Sequence, residues 1–322
     1  MRSRPRFTLR SRRTVLVALI FATACVIAAI LLTRKKEPSY GGYPLSNWVK
    51  LLSDINEEDF GPDCTQDQAP DAIVAIGTNA LPFLVEWLQY KGGPTPVRDA
   101  VYKGVQEFPV LKKIHGLEQW AWKDNKIVRS AGAVIAFRIL GATGAPAIPE
   151  LFRMASKNPP GIELTPQHEA IEALTGIGET SLPALVSIAT NRAIQSCARW
   201  QAASDIGRLG TNAAPAAPAL LGLLEDEDLL VADGAAEALG EMGLEPRRVV
   251  PALTKAALRP GGMQHMVIGV LAKFGPEAAE AIPALQKIAA EKEKYHEIVR
   301  ICAVSAISKI QVSNPPPKPP SP

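Results

Sequence analysis

The chain has 322 residues, with 35 Lys and Arg against 32 Asp and Glu and a formal net charge of +3. The balance is uneven: residues 1–37 carry nine basic residues and one Glu, so residues 38–322 hold 26 basic against 31 acidic side chains, a net of −5. A mildly acidic body lacks the basic footprint that nucleic acid requires, and no nucleic-acid partner is expected. The cysteines, Cys25, Cys64, Cys197 and Cys302, are too far apart to form a CxxC metal or redox motif, and the spacing shows no disulfide framework.

Residues 1–13 are a basic leader with six Arg and no acid, expected to stay in the cytoplasm. Thr14–Thr33 follows without a charge and is closed by Arg34, Lys35 and Lys36. A helix of that length is about 30 Å long, enough to cross the hydrocarbon core. The excess of Arg before it over basic residues after it predicts a single-pass inner-membrane anchor with everything beyond residue 34 outside the cytoplasm. Two local patterns offer other fates for the same segment. Ser11–Leu16 is similar to a twin-arginine export signal, and Ala22–Cys25 loosely to a lipoprotein processing site. All three fates put the body on the same side. Residues 34–43 read as a linker. Residues 44–68 read as a lead-in helix with Ser46 as N-cap and Trp48, Leu51 and Leu52 on one face, followed by an acidic loop.

From residue 69 the pattern repeats about every 32 residues. An apolar helix ends at a Gly, and a Pro five or eight residues later opens a second helix: Gly77/Pro82, Gly141/Pro149, Gly178/Pro183, Gly210/Pro218, Gly243/Pro251 and Gly275/Pro283. One residue before each Gly stand Ile76, Leu140, Ile177, Leu209, Met242 and Phe274. Four before stand Ile73, Phe137, Leu174, Ile206, Leu239 and Leu271, and eight before stand Ala69, Ala133, Ala170, Ala202, Ala235 and Val267. These offsets fall on one face of a helix, with a small residue where neighbours come close. Two residues after each Pro every unit has Leu: Leu84, Leu151, Leu185, Leu220, Leu253 and Leu285. No strands are predicted. A single helix pair cannot bury both stripes, so neighbouring pairs must share a core.

Arg199–Leu221 and Val231–Leu253 resemble HEAT repeats, of the short Ala-rich kind found in bacterial HEAT-repeat proteins and in the phycobilisome-lyase-like group. The resemblance implies an all-α solenoid of about six helix hairpins over residues 69–312, preceded by the transmembrane helix. Between Leu88 and Val128 one Gly/Pro pair is missing, replaced by a stretch that includes Trp120 and Trp122. Val299–Ile310 reads as a last first-type helix with Gln311 in the Gly place, as expected of a terminal cap, and residues 313–322 as a Pro-rich disordered tail.

Nothing in the pattern carries chemistry. Gln167–Leu174 is similar to the His-Glu helix motif that binds iron in deoxyhypusine hydroxylase, but the equivalent His265 is followed by Met266, and one His168–Glu169 pair cannot assemble a two-metal site. No catalytic residue, cofactor or metal is expected. In HEAT-like arrays the second helices line the concave face. The residues four after each Pro, Glu86, Arg153, Ser187, Gly222, Lys255 and Lys287, are polar or small and should face solvent. With Trp87 and Tyr90 they form the candidate surface for a protein or peptide partner, large aromatics being strong contact anchors. The reading is a non-catalytic scaffold. Its alternative is an envelope small-ligand-binding or lyase-like accessory protein using the concave groove.

Overall fold

The computed structural model describes residues 36–53, 65–89, 125–158, 165–259 and 261–312. The chain divides into two compact units, Met1–Pro38 and Ser39–Pro322. The basic leader, the anchor Thr14–Thr33, the insert with Trp120 and Trp122, and the Pro-rich tail lie outside the described residues, as do Cys25, Cys64 and Tyr90.

Among the described residues the second unit is all-α apart from one small hairpin, β1 (Ser39–Tyr40) paired antiparallel with β2 (Tyr43–Pro44). The linker reading missed this hairpin. Gly41 and Gly42 between the strands have φ of 57° and 85°, the left-handed pair that a two-residue hairpin turn demands. Trp48 in α1 (Leu45–Ser53) anchors it, donating its ring N–H to the Tyr40 carbonyl at 3.2 Å between edge-on Tyr40 and Tyr43 rings. Ser46 is not the N-cap, because α1 begins one residue earlier and buries it.

First-type helices are α2 (Ala69–Ile76), α4 (Asn125–Leu140), α6 (Thr165–Ile177), α8 (Ser196–Arg208), α10 (Leu229–Met242), α12 (Gln264–Lys273) and α14 (Glu297–Val312). Between them come the second-type helices α3 (Leu81–Leu88), α5 (Ile148–Ala155), α7 (Leu182–Thr190), α9 (Ala217–Leu223), α11 (Pro246–Leu258) and α13 (Ile282–Ala290). All six repeat glycines have φ between 51° and 87°. At Gly77 this left-handed residue ends α2 and starts a 3-10 turn, Gly77–Ala80, that leads into α3. Among the described residues two stretches, Gln66–Leu88 and Val128–Ala155, are long and apolar enough to cross a membrane by length and composition. Each bends at such a glycine, Gly77 or Gly141, so neither is one continuous helix.

The periodic positions are the core. The whole Leu row, the row four before each Gly and the row eight before it are buried, while Leu209 in the row nearest the Gly is half-buried. One hairpin departs from the expected pattern. Pro251 sits inside α11 rather than opening it, because Pro246 comes first and takes the N-terminal place after a left-handed Glu245 (φ 49°).

From α4 onward each first helix packs on the preceding second helix and on the preceding first helix, whereas second helices touch one another sparingly. Glycines inside the first helices allow the close layer. A Cβ on Gly132 of α4 would sit 2.1 Å from the Val49 carbonyl oxygen of α1. One on Gly207 of α8 would sit 2.5 Å from Ala238 Cα of α10, and one on Gly240 of α10 would sit 2.4 Å from Val270 of α12. By contrast Gly222, on the exposed side of α9, has open space around it. Gly132→Ala is therefore expected to destabilise by about 1–3 kcal/mol through overpacking. Gly222→Ala should stabilise by about 0.5–1 kcal/mol through helix propensity alone. Opposite shifts in urea midpoint at constant slope would check the pair.

A side-chain brace recurs at the joints. At four joints the residue eleven before the repeat Gly, or before Gln311, reaches back to a carbonyl at the end of the preceding second helix, whereas Ser130, eleven before Gly141, donates to Glu169 instead. Gln167 donates to Ala155 O at 2.8 Å, Arg199 to Ala189 O at 3.1 Å, Gln264 to Ala257 O at 3.0 Å and Arg300 to Ala289 O at 3.2 Å. These carbonyls have no partner within their own helix, so each brace satisfies a terminal acceptor. Where the position is Ala232 and no reach is possible, Arg259 serves the end of α9 instead, donating to Leu224 O at 3.1 Å.

Candidate interaction face

The second-helix row is built by the Leu row beneath it. Leu84, Leu151, Leu185, Leu220, Leu253 and Leu285 point into the core, and the residue two further on lies across the helix from them. Glu86, Arg153, Ser187, Gly222, Lys255 and Lys287 are all exposed, as the spacing requires. They lie on the more open layer. The close-packed layer is that of the first helices, which approach one another at glycines.

The row's cations have local partners. Arg153 donates from Nε to Glu150 at 2.7 Å, and this hydrogen bond holds the Glu150 carboxyl below its usual range. Lys255 reaches Glu225 at the end of the neighbouring α9 at 2.8 Å, and Lys287 lies 4.0 Å from Glu291. All these pairs are exposed, which makes them weak and open to exchange with a partner's charges. Trp87 is half-buried against the core, 6.3 Å from Phe83 by ring centroids, with the Arg129 guanidinium 5.6 Å over its ring.

His168 and Glu169 do not converge. His168 is exposed and its Nδ1 contacts the Gln201 side-chain oxygen on α8, while Glu169 accepts from the Ser130 hydroxyl on α4. Burial pushes the Glu169 carboxyl up, a shift that the Ser130 hydrogen bond opposes and the Glu172 charge reinforces. Neighbouring side chains thus serve two different first-helix contacts, which the dipeptide alone did not reveal. Among the described residues no group of three His, Cys, Asp or Glu is placed to hold a metal ion. Cys197 is exposed and Cys302 half-buried, both as free thiols.

The densest polar cluster lies at the joint between α8 and α10, and sequence reasoning passed over it. Arg199 and Asp226 form an ion pair with side chains only 5% and 6% exposed. Asp226 also accepts the Asp228 N–H at 2.9 Å, and its backbone carbonyl accepts from Arg259 at 2.6 Å. Burial raises the Asp226 carboxyl, but the hydrogen bonds from Arg199 and Asp228 with the nearby Arg charges outweigh it, leaving a net lowering. Nearby, Asp233 accepts the Met263 N–H at 2.9 Å and is pushed up chiefly by burial. The hollow beside it holds about 20 Å³, between Arg259, Gly261, Gly262 and Gln264. That is room for about one water.

No protein-family model matches this chain, and no curated protein matches it. A crystal structure of an engineered protein from the Northeast Structural Genomics Consortium is similar at 18% identity, over 84% of this chain and 97% of that chain, with a TM-score of 0.38. A likeness at that level supports no statement about function.

Proposed function

We propose that the chain is a HEAT-type α-solenoid held outside the cytoplasm by the anchor Thr14–Thr33, and that it acts as a non-catalytic scaffold for a protein or peptide partner. The observation that carries the reading is the recurring exposed row on the second helices over a buried Leu row, an extended polar surface on a repeating core. Its cations Arg153, Lys255 and Lys287 sit in surface ion pairs, which a partner can displace at little cost.

The partner surface is tested by placing a photo-crosslinking residue at Ser187 of the full chain in its own membranes. A discrete protein adduct is expected, lost when Arg153 and Lys255 are both reversed to Glu and absent when the crosslinker replaces His265 on a first helix. An adduct indifferent to both changes would sink the proposed surface. Orientation is tested by fusing alkaline phosphatase after Asn314. An active fusion is expected, and an inactive one beside an active cytoplasmic reporter would place the body inside.

A further inference from the structure

The last described helix, α14, carries exposed apolar side chains. Large apolar side chains exposed among the described residues are Tyr40, Val74, Ile298, Ile301 and Val304, so three lie on α14, at 55%, 60% and 59% exposure. They flank a groove of about 380 Å³ lined by Ala289, Glu297, Arg300, Ile301, Val304 and Ser305.

Their register is the informative part. Inner first helices meet the next first helix through residues ten, six and three before the repeat Gly. At ten, His168 contacts Gln201 and Trp200 lies against Gly234. At six, Ser204 donates to Glu237 at 2.9 Å. At three, Thr175 donates to Asp205 at 3.1 Å, and Gly207 and Gly240 lie against Ala238 and Val270. Counting from Gln311, the same places on α14 are Ile301, Ser305 and Ser308. The helix offers the surface that elsewhere receives a first helix of this chain, and among the described residues nothing lies on it.

We infer that this α14 face pairs with α14 of a second copy of the chain, antiparallel about a two-fold axis. The pairing sets Ile301 of one copy against Val304 of the other, twice, with Ser305 and Ser308 small enough for close approach. Each copy carries one such stripe among its described residues, so one contact covers both. The residues that follow α14, Ser313–Pro322, contain no Ile, Leu, Val or Phe to match an aliphatic stripe. One helix face about 24 Å by about 10 Å falls short of the roughly 800 Å² per partner of a stable interface, which makes this a weak, concentration-dependent dimer.

The test is sedimentation of the full chain in detergent from about 1 to about 300 micromolar. Wild type is expected to move from monomer to dimer across that range. Ile301→Lys and Val304→Lys should each raise the midpoint at least about tenfold with helix content unchanged, since both side chains are exposed. Ile301→Ser carries the same expectation should a lysine variant lose helix. Three results would overturn the pairing: wild type monomeric throughout, lysine variants that dimerise like wild type, or a chain ending at Val312 that dimerises while the full chain does not. The last would give the face to the residues that follow it.

Discussion

Arg199→Ala is expected to cost about 3–5 kcal/mol, because it leaves Asp226 buried and charged without its partner. The loss exceeds that of a surface pair for two reasons. Both side chains are nearly out of water, and Arg199 also braces the end of α7 through Ala189 O. Arg199→Met should recover part of the loss when combined with Asp226→Leu, since two apolar side chains need no mutual hydrogen bond. Urea unfolding of the two single and the double variants checks this, and additive single losses would show that the pair does not act as a unit. The pH dependence has a fixed sign. Asp226 titrates lower in the fold than in the unfolded chain, so its contribution is present above the unfolded value of about 3.9 and is lost as pH falls through the folded value. The stability difference between wild type and Arg199→Ala should therefore shrink on acidification.

Leu185→Ala is the second large effect, at about 2–5 kcal/mol. Leu185 is fully buried at the centre of α7, where α7 packs on α8, and the truncation removes apolar contact from both sides of a joint. A neighbouring change, Ser187→Ala, alters an exposed position and should stay within about 0.5 kcal/mol. Comparable losses for the two would show that the burial pattern of the second helices is wrong.

The backbone of this protein was legible where one physical requirement repeats. A left-handed residue after each first helix selects Gly, and a side chain facing a shared core selects Leu, so both rows could be read by counting. What escaped counting depends on contacts between units. Gly132, Gly207, Gly234 and Gly240 stand in helix interiors, where glycine is costly, and that cost was a readable sign of close helix approach. The braces were harder to see. Gln167, Arg199, Gln264 and Arg300 differ in charge and shape and share only a long donor, so no identity marks the row.

Pro251 misled for a local reason. Either of two prolines after Gly243 could open a helix, and the nearer one does. The candidate face fared differently again. Exposure of Glu86, Arg153, Ser187, Lys255 and Lys287 follows from helical geometry, but their partners Glu150, Glu225 and Glu291 depend on side-chain reach across a turn or a joint. The bare stripe on α14 was hidden because Ile301 and Val304 look like any other core residues until it is known that no helix follows them among the described residues.

The braces also bear on how such a chain can change its length. Every braced joint uses a donor from one period and an acceptor from the period before, so a tandem duplication or excision of one whole period regenerates the same bond at the new seam. A change of one or two residues within a first helix would instead turn its donor by about 100° or 200° and leave the carbonyl unserved. Lineages descended from this chain should therefore differ by entire hairpins far more readily than by small insertions inside them.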